Sequence, residues 1–320
     1  MSDARDSRRA PGKYGDSEAR HFLDIDDLTG DELDEVLDVA AEYKAEFEAE
    51  GPHDDFDQQT LGMLFQKPST RTRVSFETGM TQLGGHAIFL GEDDIQLGRG
   101  EPLRDTSRAL SRYVDVLMAR VFKHANAVEL ARYADVPVVN GLTDDAHPCQ
   151  TLADLLTIRE HEGSFEDVQA AWIGDGNNVA QSFMLGCALT DIDLTVATPE
   201  GYGIDDDVVE RARDLGGDPT ITTDPVEAAT DADVIYTDVW ISMGQEDERD
   251  VRMDAFEGFQ VGDDLLAHAD DASVMHCLPA HRGEEITDDV MESDSAAVWD
   301  QAENRLHAQK GLLVWLLDQE

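Results

Sequence analysis

Lysine is scarce in this chain of 320 residues, and positive charge as a whole is heavily outnumbered. Lys and Arg total 24 against 70 Asp and Glu, a formal net charge of −46, and only five of the 24 are Lys. That balance leaves no basic face for a phosphate backbone, so nucleic acid is not expected as a partner. Cysteine is also sparse: Cys149, Cys187 and Cys277, with no CxxC pair. An odd, scattered set builds no disulfide framework and points to a reducing, cytoplasmic compartment. No apolar run approaches the roughly 18 residues of a membrane span, so no membrane association is expected. The N-terminus lacks the apolar stretch of an export signal, so Arg8-Arg9 is not read as part of one.

Hydrophobic residues make up 41% of the chain, enough for sizeable cores, and the length favours two domains. Periodic apolar segments from Phe22 onward argue against disorder. The acidic residues are spread over nearly every segment, which fits a surface suited to concentrated salt. At about 1 M salt the Debye length is about 3 Å, and dispersed carboxylates no longer repel strongly.

Residues 1–20 read as a tail. The first helix is announced by Thr29 and Glu32, a capping box, followed by Leu33, Val36, Leu37, Ala40 and Ala41 at helical spacing. Apolar runs at 61–65, 87–90, 114–119 and 136–139 read as buried parallel strands, with helical stretches between them at 103–113 and 127–134. Pro148 opens a helix over 148–161, carrying the apolar stripe Leu152, Leu155, Leu156 and Ile158. A second series of strands follows at 170–173, 194–197, 234–237 and 274–277, and 296–319 reads as one or two helices. Strands alternating with helices predict an α/β chain with two doubly wound domains, each a mostly parallel sheet flanked by helices.

Six polar clusters fall just after strand candidates, where doubly wound sheets bind ligands. Ser69-Thr70-Arg71-Thr72 sits between a strand and the helix that continues over 74–83. Hydroxyls, guanidinium and the positive end of a helix form an anion site, although an ordinary capped helix fits the same pattern. Arg120 and His147-Pro148-Cys149-Gln150 follow the next strands. In the second series come Asn177-Asn178, the stretch from Asp238 to Met243, and His276-Cys277. Taken singly, His147 also reads as a core histidine, Cys277 as a small buried hydrophobe and Asp238 as a turn former. A zinc site at His276-Cys277 lacks a second pair at ligand spacing. Gly174-Asp175-Gly176 is a weak dinucleotide signal, because Val179 stands where a third glycine belongs.

Together, Ser69-Thr70-Arg71-Thr72, His147-Pro148-Cys149-Gln150, Asp238-Val239-Trp240-Ile241-Ser242-Met243-Gly244 and His276-Cys277-Leu278-Pro279 resemble the ornithine carbamoyltransferase family. The resemblance runs from about Phe22 to the C-terminus. The first two motifs are shared by carbamoyltransferases generally. The last two are specific, since aspartate carbamoyltransferases carry proline where Cys277 stands and lack the Ser-Met-Gly loop.

The resemblance implies transfer of a carbamoyl group from carbamoyl phosphate to the side-chain amine of L-ornithine, giving citrulline. The carbamoyl-phosphate domain would span 21–146 plus about 303–320, with the C-terminal helix packed back on it, and the ornithine domain 147–302. Ser69, Thr70, Arg71 and Thr72 would hold the phosphate. Arg120 and His147, with Thr72, would lie by the carbonyl oxygen. Gln150 and the backbone at Cys277 and Leu278 would hold the carbamoyl amide, and Arg305 would close on the same ligand. Leu142, Asn178, Asp238, Ser242 and Met243 would grip ornithine. Gln96 matches a residue that trimers of this family lend to a neighbouring site, so a homotrimer or a multiple of trimers is expected.

Ornithine's side-chain amine, with a reference pKa near 10.4, arrives protonated. Cys277 as a thiolate of lowered pKa would orient it and help it lose the proton. No metal or organic cofactor is expected. The alternatives are a carbamoyltransferase for N-acylornithine or putrescine, or a nicotinamide-dependent dehydrogenase using Gly174 and Gly176.

Overall fold

The computed structural model describes residues 13–14, 19–92, 100–242, 244–269 and 271–318. It divides into two units. The first runs to Cys149 and resumes at Leu306, and the second is Gln150–Arg305.

In the first unit, helix α1 (Gly30–Glu50) starts where the capping box places it. The Thr29 hydroxyl accepts from the Glu32 N–H at 3.3 Å, and the Glu32 carboxylate accepts from the Thr29 N–H at 2.9 Å. Leu33, Val36, Leu37 and Ala40 form its buried stripe. Strands β1 (Thr60–Phe65), β2 (His86–Gly91), β3 (Val116–Arg120) and β4 (Val138–Leu142) make a parallel sheet in the order β2-β1-β3-β4. The crossovers are α2 (Thr70–Gln82), α3 (Leu103–Leu110) and α4 (His124–Tyr133). Leu64, Leu117, Ala119, Leu130 and Val138 sit in the resulting core. Strand β4 starts two residues later than its apolar run and extends through Asn140 and Gly141 to Leu142. The Phe22 segment lies alongside it, donating to the Val138 carbonyl and accepting from the Asn140 N–H.

Helix α5 (Pro148–Glu162) leads into the second unit, with proline at its first position, where a missing N–H costs nothing. There β5 (Gln169–Ile173), β6 (Asp193–Ala197), β7 (Thr220–Thr222), β8 (Val234–Thr237) and β9 (Ser273–His276) form a parallel sheet in the order β7-β6-β5-β8-β9. The helices, in chain order, are α6 (Asn178–Thr190), α7 (Asp206–Asp214), α8 (Pro225–Ala229), α9 (Arg249–Ala255), α10 (Asp263–Leu266), α11 (Asp288–Met291) and α12 (Val298–Leu317). Ile173, Ile235, Phe256, Val274 and Ile286 anchor this core. Strand β7 escaped the apolar patterning because it is a three-residue edge strand whose Ile221 is exposed.

The closing segment is one helix, and its residues from Leu306 belong to the first unit, as the expected packing requires. Trp315 donates its indole N–H to Glu35 of α1 at 3.1 Å. Gly311 is required there. A Cβ on it would meet the Ala40 backbone at 2.7 Å, so the two helices approach at this point to a distance only glycine allows.

Each sheet has one place where neighbouring strands send their connections in opposite directions. In the first it lies between β1 and β3, in the second between β5 and β8. Ligands of doubly wound sheets bind outside the strand ends at such switch points.

Candidate active site

At the first switch point, β1 ends at Phe65 and α2 starts on Ser69, whose hydroxyl accepts from the Thr72 N–H at 3.3 Å. The Thr72 hydroxyl lies 3.1 Å from that of Ser69 and accepts from the Arg120 guanidinium at 3.2 Å. Arg120 is the last residue of β3 and is buried, as is Thr72. Of the residues expected at carbamoyl phosphate, Ser69, Thr70 and Thr72 therefore share one turn, and Arg120, expected at the carbonyl oxygen, reaches it. Arg71 lies half-buried on the same turn. The first turn of α2 carries no acidic side chain, so its positive end is not neutralised locally.

Leu142 ends β4 opposite Arg120, and its carbonyl accepts from the Val121 N–H at 3.1 Å. His147 is buried immediately ahead of α5, behind a tight turn in which Thr143 and Ala146 bond each other. Cys149 donates its thiol to the Asn140 carbonyl at 3.3 Å and helps hold that turn.

At the second switch point, Asn177 caps α6 with its carbonyl oxygen, accepting from Val179 and Ala180. Its NH2 donates to Asp238 at 2.8 Å. The other oxygen of Asp238 accepts from the Cys277 thiol at 3.0 Å. Three strand ends, those of β5, β8 and β9, thus deliver one cluster, with Asn178 opening α6 beside it. Ser242 donates its N–H to Gln245 at 3.0 Å in the loop that follows Asp238. Arg252 anchors the base of that loop, donating to the Trp240 carbonyl and to Asp175. Gln96 and Met243 lie outside the described residues.

The depressed thiol pKa expected at Cys277 is not found. Burial and the adjacent Asp238 carboxylate push the Cys277 thiol well up, against a smaller opposing effect of Arg305. A neutral S–H donating to a carboxylate is the outcome, because the nearest charge is negative rather than cationic. Leu278 has φ +61°, and its N–H donates to His276 Nδ1 at 2.9 Å. The N–H of this turn is thus engaged within the protein.

Gln150 lies in the first turn of α5 and accepts from the Arg305 guanidinium at 2.6 Å. Its NH2 donates to Asp154 at 2.7 Å. Asp154 was missed by the sequence reading. The signal for it was a carboxylate inside the otherwise apolar stretch 152–156, four residues beyond Gln150 and so on the same helical face.

The chain matches two family models in succession. Residues 20–160 match the carbamoyl-P binding domain of aspartate/ornithine carbamoyltransferase, and residues 166–316 match its Asp/Orn binding domain. The chain belongs to the aspartate/ornithine carbamoyltransferase family. It is 66% identical to the ornithine carbamoyltransferase of Haloquadratum walsbyi over 299 residues, covering 93% of this chain and 98% of the relative. That relative comes from a halophile, in keeping with the acidic composition. The ornithine carbamoyltransferase of Archaeoglobus fulgidus is 54% identical, with 94% and 98% covered. Among solved structures, that of the ornithine carbamoyltransferase from Pyrococcus furiosus superposes with a TM-score of 0.91 at 52% identity, covering 94% of this chain and 98% of the other.

Membership of the carbamoyltransferase family agrees with the local geometry against the nicotinamide reading. A Cβ on Gly176 would lie 2.4–2.6 Å from the backbone of Gly203 and Ile204, so this glycine admits protein backbone where a dinucleotide site would admit a pyrophosphate. The zinc reading needs a correction of its premise. Asp238 joins His276 and Cys277 as a third donor within 4.8 Å, which chain spacing could not reveal. Yet His276 already uses Nδ1 for the Leu278 N–H and Nε2 for the buried Glu285 at 3.1 Å. Both contacts would have to break before its imidazole bound a metal.

Proposed function

We propose that this chain transfers the carbamoyl group of carbamoyl phosphate to the side-chain amine of L-ornithine, forming citrulline and phosphate. The observation that carries the reading is the Asn177–Asp238–Cys277 cluster at the second switch point. It combines a carboxylate and a sulfur, suited to an amino acid that bears two amines. High identity to ornithine carbamoyltransferases over more than nine-tenths of the chain supports it.

The phosphate of the donor seats on Ser69, Thr70, Arg71 and Thr72 at the start of α2. Arg120, Thr72 and His147 face the carbonyl oxygen, where negative charge grows as the amine adds. Gln150 and the Leu278 carbonyl receive the carbamoyl NH2, with Arg305 on the same ligand. Asn178, Asp238, Ser242, Met243 and Leu142 grip ornithine. The nitrogen–carbon bond forms, the tetrahedral oxyanion collapses, and the carbon–oxygen bond to phosphate breaks. The ammonium first releases one proton to solvent to free the attacking lone pair, and the departing phosphate takes the second proton after the nitrogen–carbon bond has formed. With its thiol protonated, Cys277 orients the amine through a hydrogen bond rather than acting as the resting base.

We assign carbamoyl-phosphate binding to 21–146 with about 303–320, and ornithine binding to 147–302. The compact units, dividing after Cys149 and after Arg305, support that assignment. The assembly is a homotrimer or a multiple of trimers, with Gln96 serving a neighbouring subunit, and the enzyme works in the cytoplasm. Three free cysteines support that compartment, and no helix among the described residues is long and apolar enough to cross a membrane.

The test is product formation with carbamoyl phosphate and a panel of amines: ornithine, N-acetylornithine, putrescine and aspartate. Citrulline from ornithine at a kcat/KM well above every other amine is expected. Turnover of another amine with no citrulline would overturn the reading.

A further inference from the structure

Helix α5 looks apolar along its sequence, yet Gln150, Asp154 and Thr157, spaced i, i+4 and i+7, form a polar face with 1% exposure or less. The facing part of α12 supplies Gln301, Asn304 and Arg305, all buried. All six belong to the second unit. Asp154 is the hub. One of its oxygens, Oδ1, accepts from both the Gln150 and the Gln301 carboxamides, each at 2.7 Å. Gln301 in turn accepts from the His276 N–H at 2.8 Å, one residue before Cys277.

The orientation of each carboxamide is fixed from both ends. Arg305 can only donate, so the atom of Gln150 facing it must be the oxygen. With its oxygen turned to Arg305, Gln150 has only its NH2 left to face Asp154, whose Oδ1 accepts it. Gln301 is locked by the same logic between the His276 N–H and Asp154. Burial pushes Asp154 up to about 7, and the hydrogen bonds from Gln301 and Gln150 offset only part of that, with Arg305 adding less. A leucine would fill this position among Ala153 and Leu155 at lower cost, so the carboxylate is kept for what it holds.

We propose that Asp154 is a positioning residue that fixes the Gln150 carboxamide with its oxygen, not its NH2, presented to the carbamoyl amide, and so selects a carbamoyl over an acetyl donor. The inference rests on Gln150 holding the carbamoyl NH2, as in the reading above. The Gln150 oxygen keeps one lone pair after the contact with Arg305, and an incoming NH2 satisfies it. Acetyl phosphate brings a methyl to that spot and leaves the buried acceptor unpaired. A carboxamide free to flip would lose that distinction.

The experiment compares wild type with Asp154→Leu, which keeps shape without an acceptor, and Asp154→Asn, which keeps an oxygen for the two amides. Asp154→Ala stands in should the leucine variant not fold, as judged by circular dichroism. Steady-state citrulline formation gives KM for carbamoyl phosphate and for ornithine, and acetyl phosphate is titrated as a competitive inhibitor. For the acceptor-less variant, KM for carbamoyl phosphate should rise about tenfold or more while KM for ornithine moves less than about twofold. The ratio of the acetyl phosphate inhibition constant to that KM should fall several-fold, and Asp154→Asn should restore both. An unchanged ratio, or both KM values rising together, would leave Asp154 a merely structural residue and overturn the proposal. Wild type that makes no citrulline would instead overturn the assigned reaction, so the two failures read differently.

Discussion

Cys277 and Asp238 are joined by a single contact, Sγ to Oδ1 at 3.0 Å, and the direction of that hydrogen bond decides what the sulfur can do before substrate arrives. Burial comes first in pushing the thiol up, and the carboxylate comes second. Both effects act on the thiolate, which would sit desolvated beside a negative charge. Cys149 and Cys187 are buried, so Cys277, the half-exposed one, should carry most alkylation of the folded protein. Its rate with iodoacetamide should be slow at neutral pH and still climbing at pH 9.0, the ordinary value for the group. A rate plateau near neutral pH, measured by mass spectrometry of the Cys277 peptide, would show a preformed thiolate. Adding an ornithine analogue that bears the side-chain amine should raise the rate, because an ammonium at the sulfur favours the charged form.

Helix starts divide this chain in a way that single residues do not. Helices α1, α3 and α7–α12 carry Asp or Glu in their first turn, where the carboxylate stabilises the positive end. Helices α2, α4, α5 and α6 carry no acidic side chain in their first turn, in a chain with 70 acidic residues, and three of these four hold Ser69–Thr72, Gln150 and Asn178. An unneutralised helix start is available to an anion. Thr70→Asp should leave the thermal midpoint unchanged or slightly higher, since it improves the helix by about 0.3–1 kcal/mol. The same change should raise KM for carbamoyl phosphate about tenfold or more through charge repulsion. A variant that loses stability and keeps its KM would contradict this account of α2. Much at this scale could be read beforehand. The capping box at Thr29 and eight of the nine strands follow from apolar period and cap chemistry, and the anion turn from its hydroxyls and arginines. Strand β7 was hidden because an exposed edge strand has no apolar pattern, and Asp154 because it is a carboxylate within an apolar run. The charge around Cys277 was hidden for another reason. The sulfur's partner lies 39 residues away in the chain, and only the pairing of β8 with β9 brings it close.

Titration and salt act on the molecule as a whole, and here the two units should part company. In the first, burial lowers His21 to about 4 and His307 to about 3 from 6.5. The neutral forms are favoured by folding, so their stability is full above pH 6.5 and is lost as pH falls toward the folded values. In the second, burial raises Asp154 to about 7 and Asp175 to about 6 from 3.8. Folding favours the protonated acids, so those contributions grow as pH falls through the same range. Hydrogen exchange at about pH 5, compared with about pH 7 after correction for intrinsic rates, should show the first unit less protected and the second not. Equal loss in both would rule out this assignment of the buried groups. Salt acts through the net charge of −46, which no buried group can offset. At about 0.1 M the Debye length is about 10 Å, long enough for many surface carboxylates to act together, and at about 1 M it is about 3 Å. Carbamoyl phosphate, a dianion, is repelled by that field, whereas ornithine, with two amines and one carboxylate, is attracted. Lowering salt from about 1 M to about 0.1 M should therefore raise the carbamoyl-phosphate KM about tenfold relative to that for ornithine. The comparison is made under conditions where circular dichroism shows the fold intact. Because the two substrates respond with opposite sign, a general loss of active enzyme, which lowers kcat alone, cannot imitate the shift. Parallel changes in both KM values would mean that the acidic surface does not govern how substrates approach.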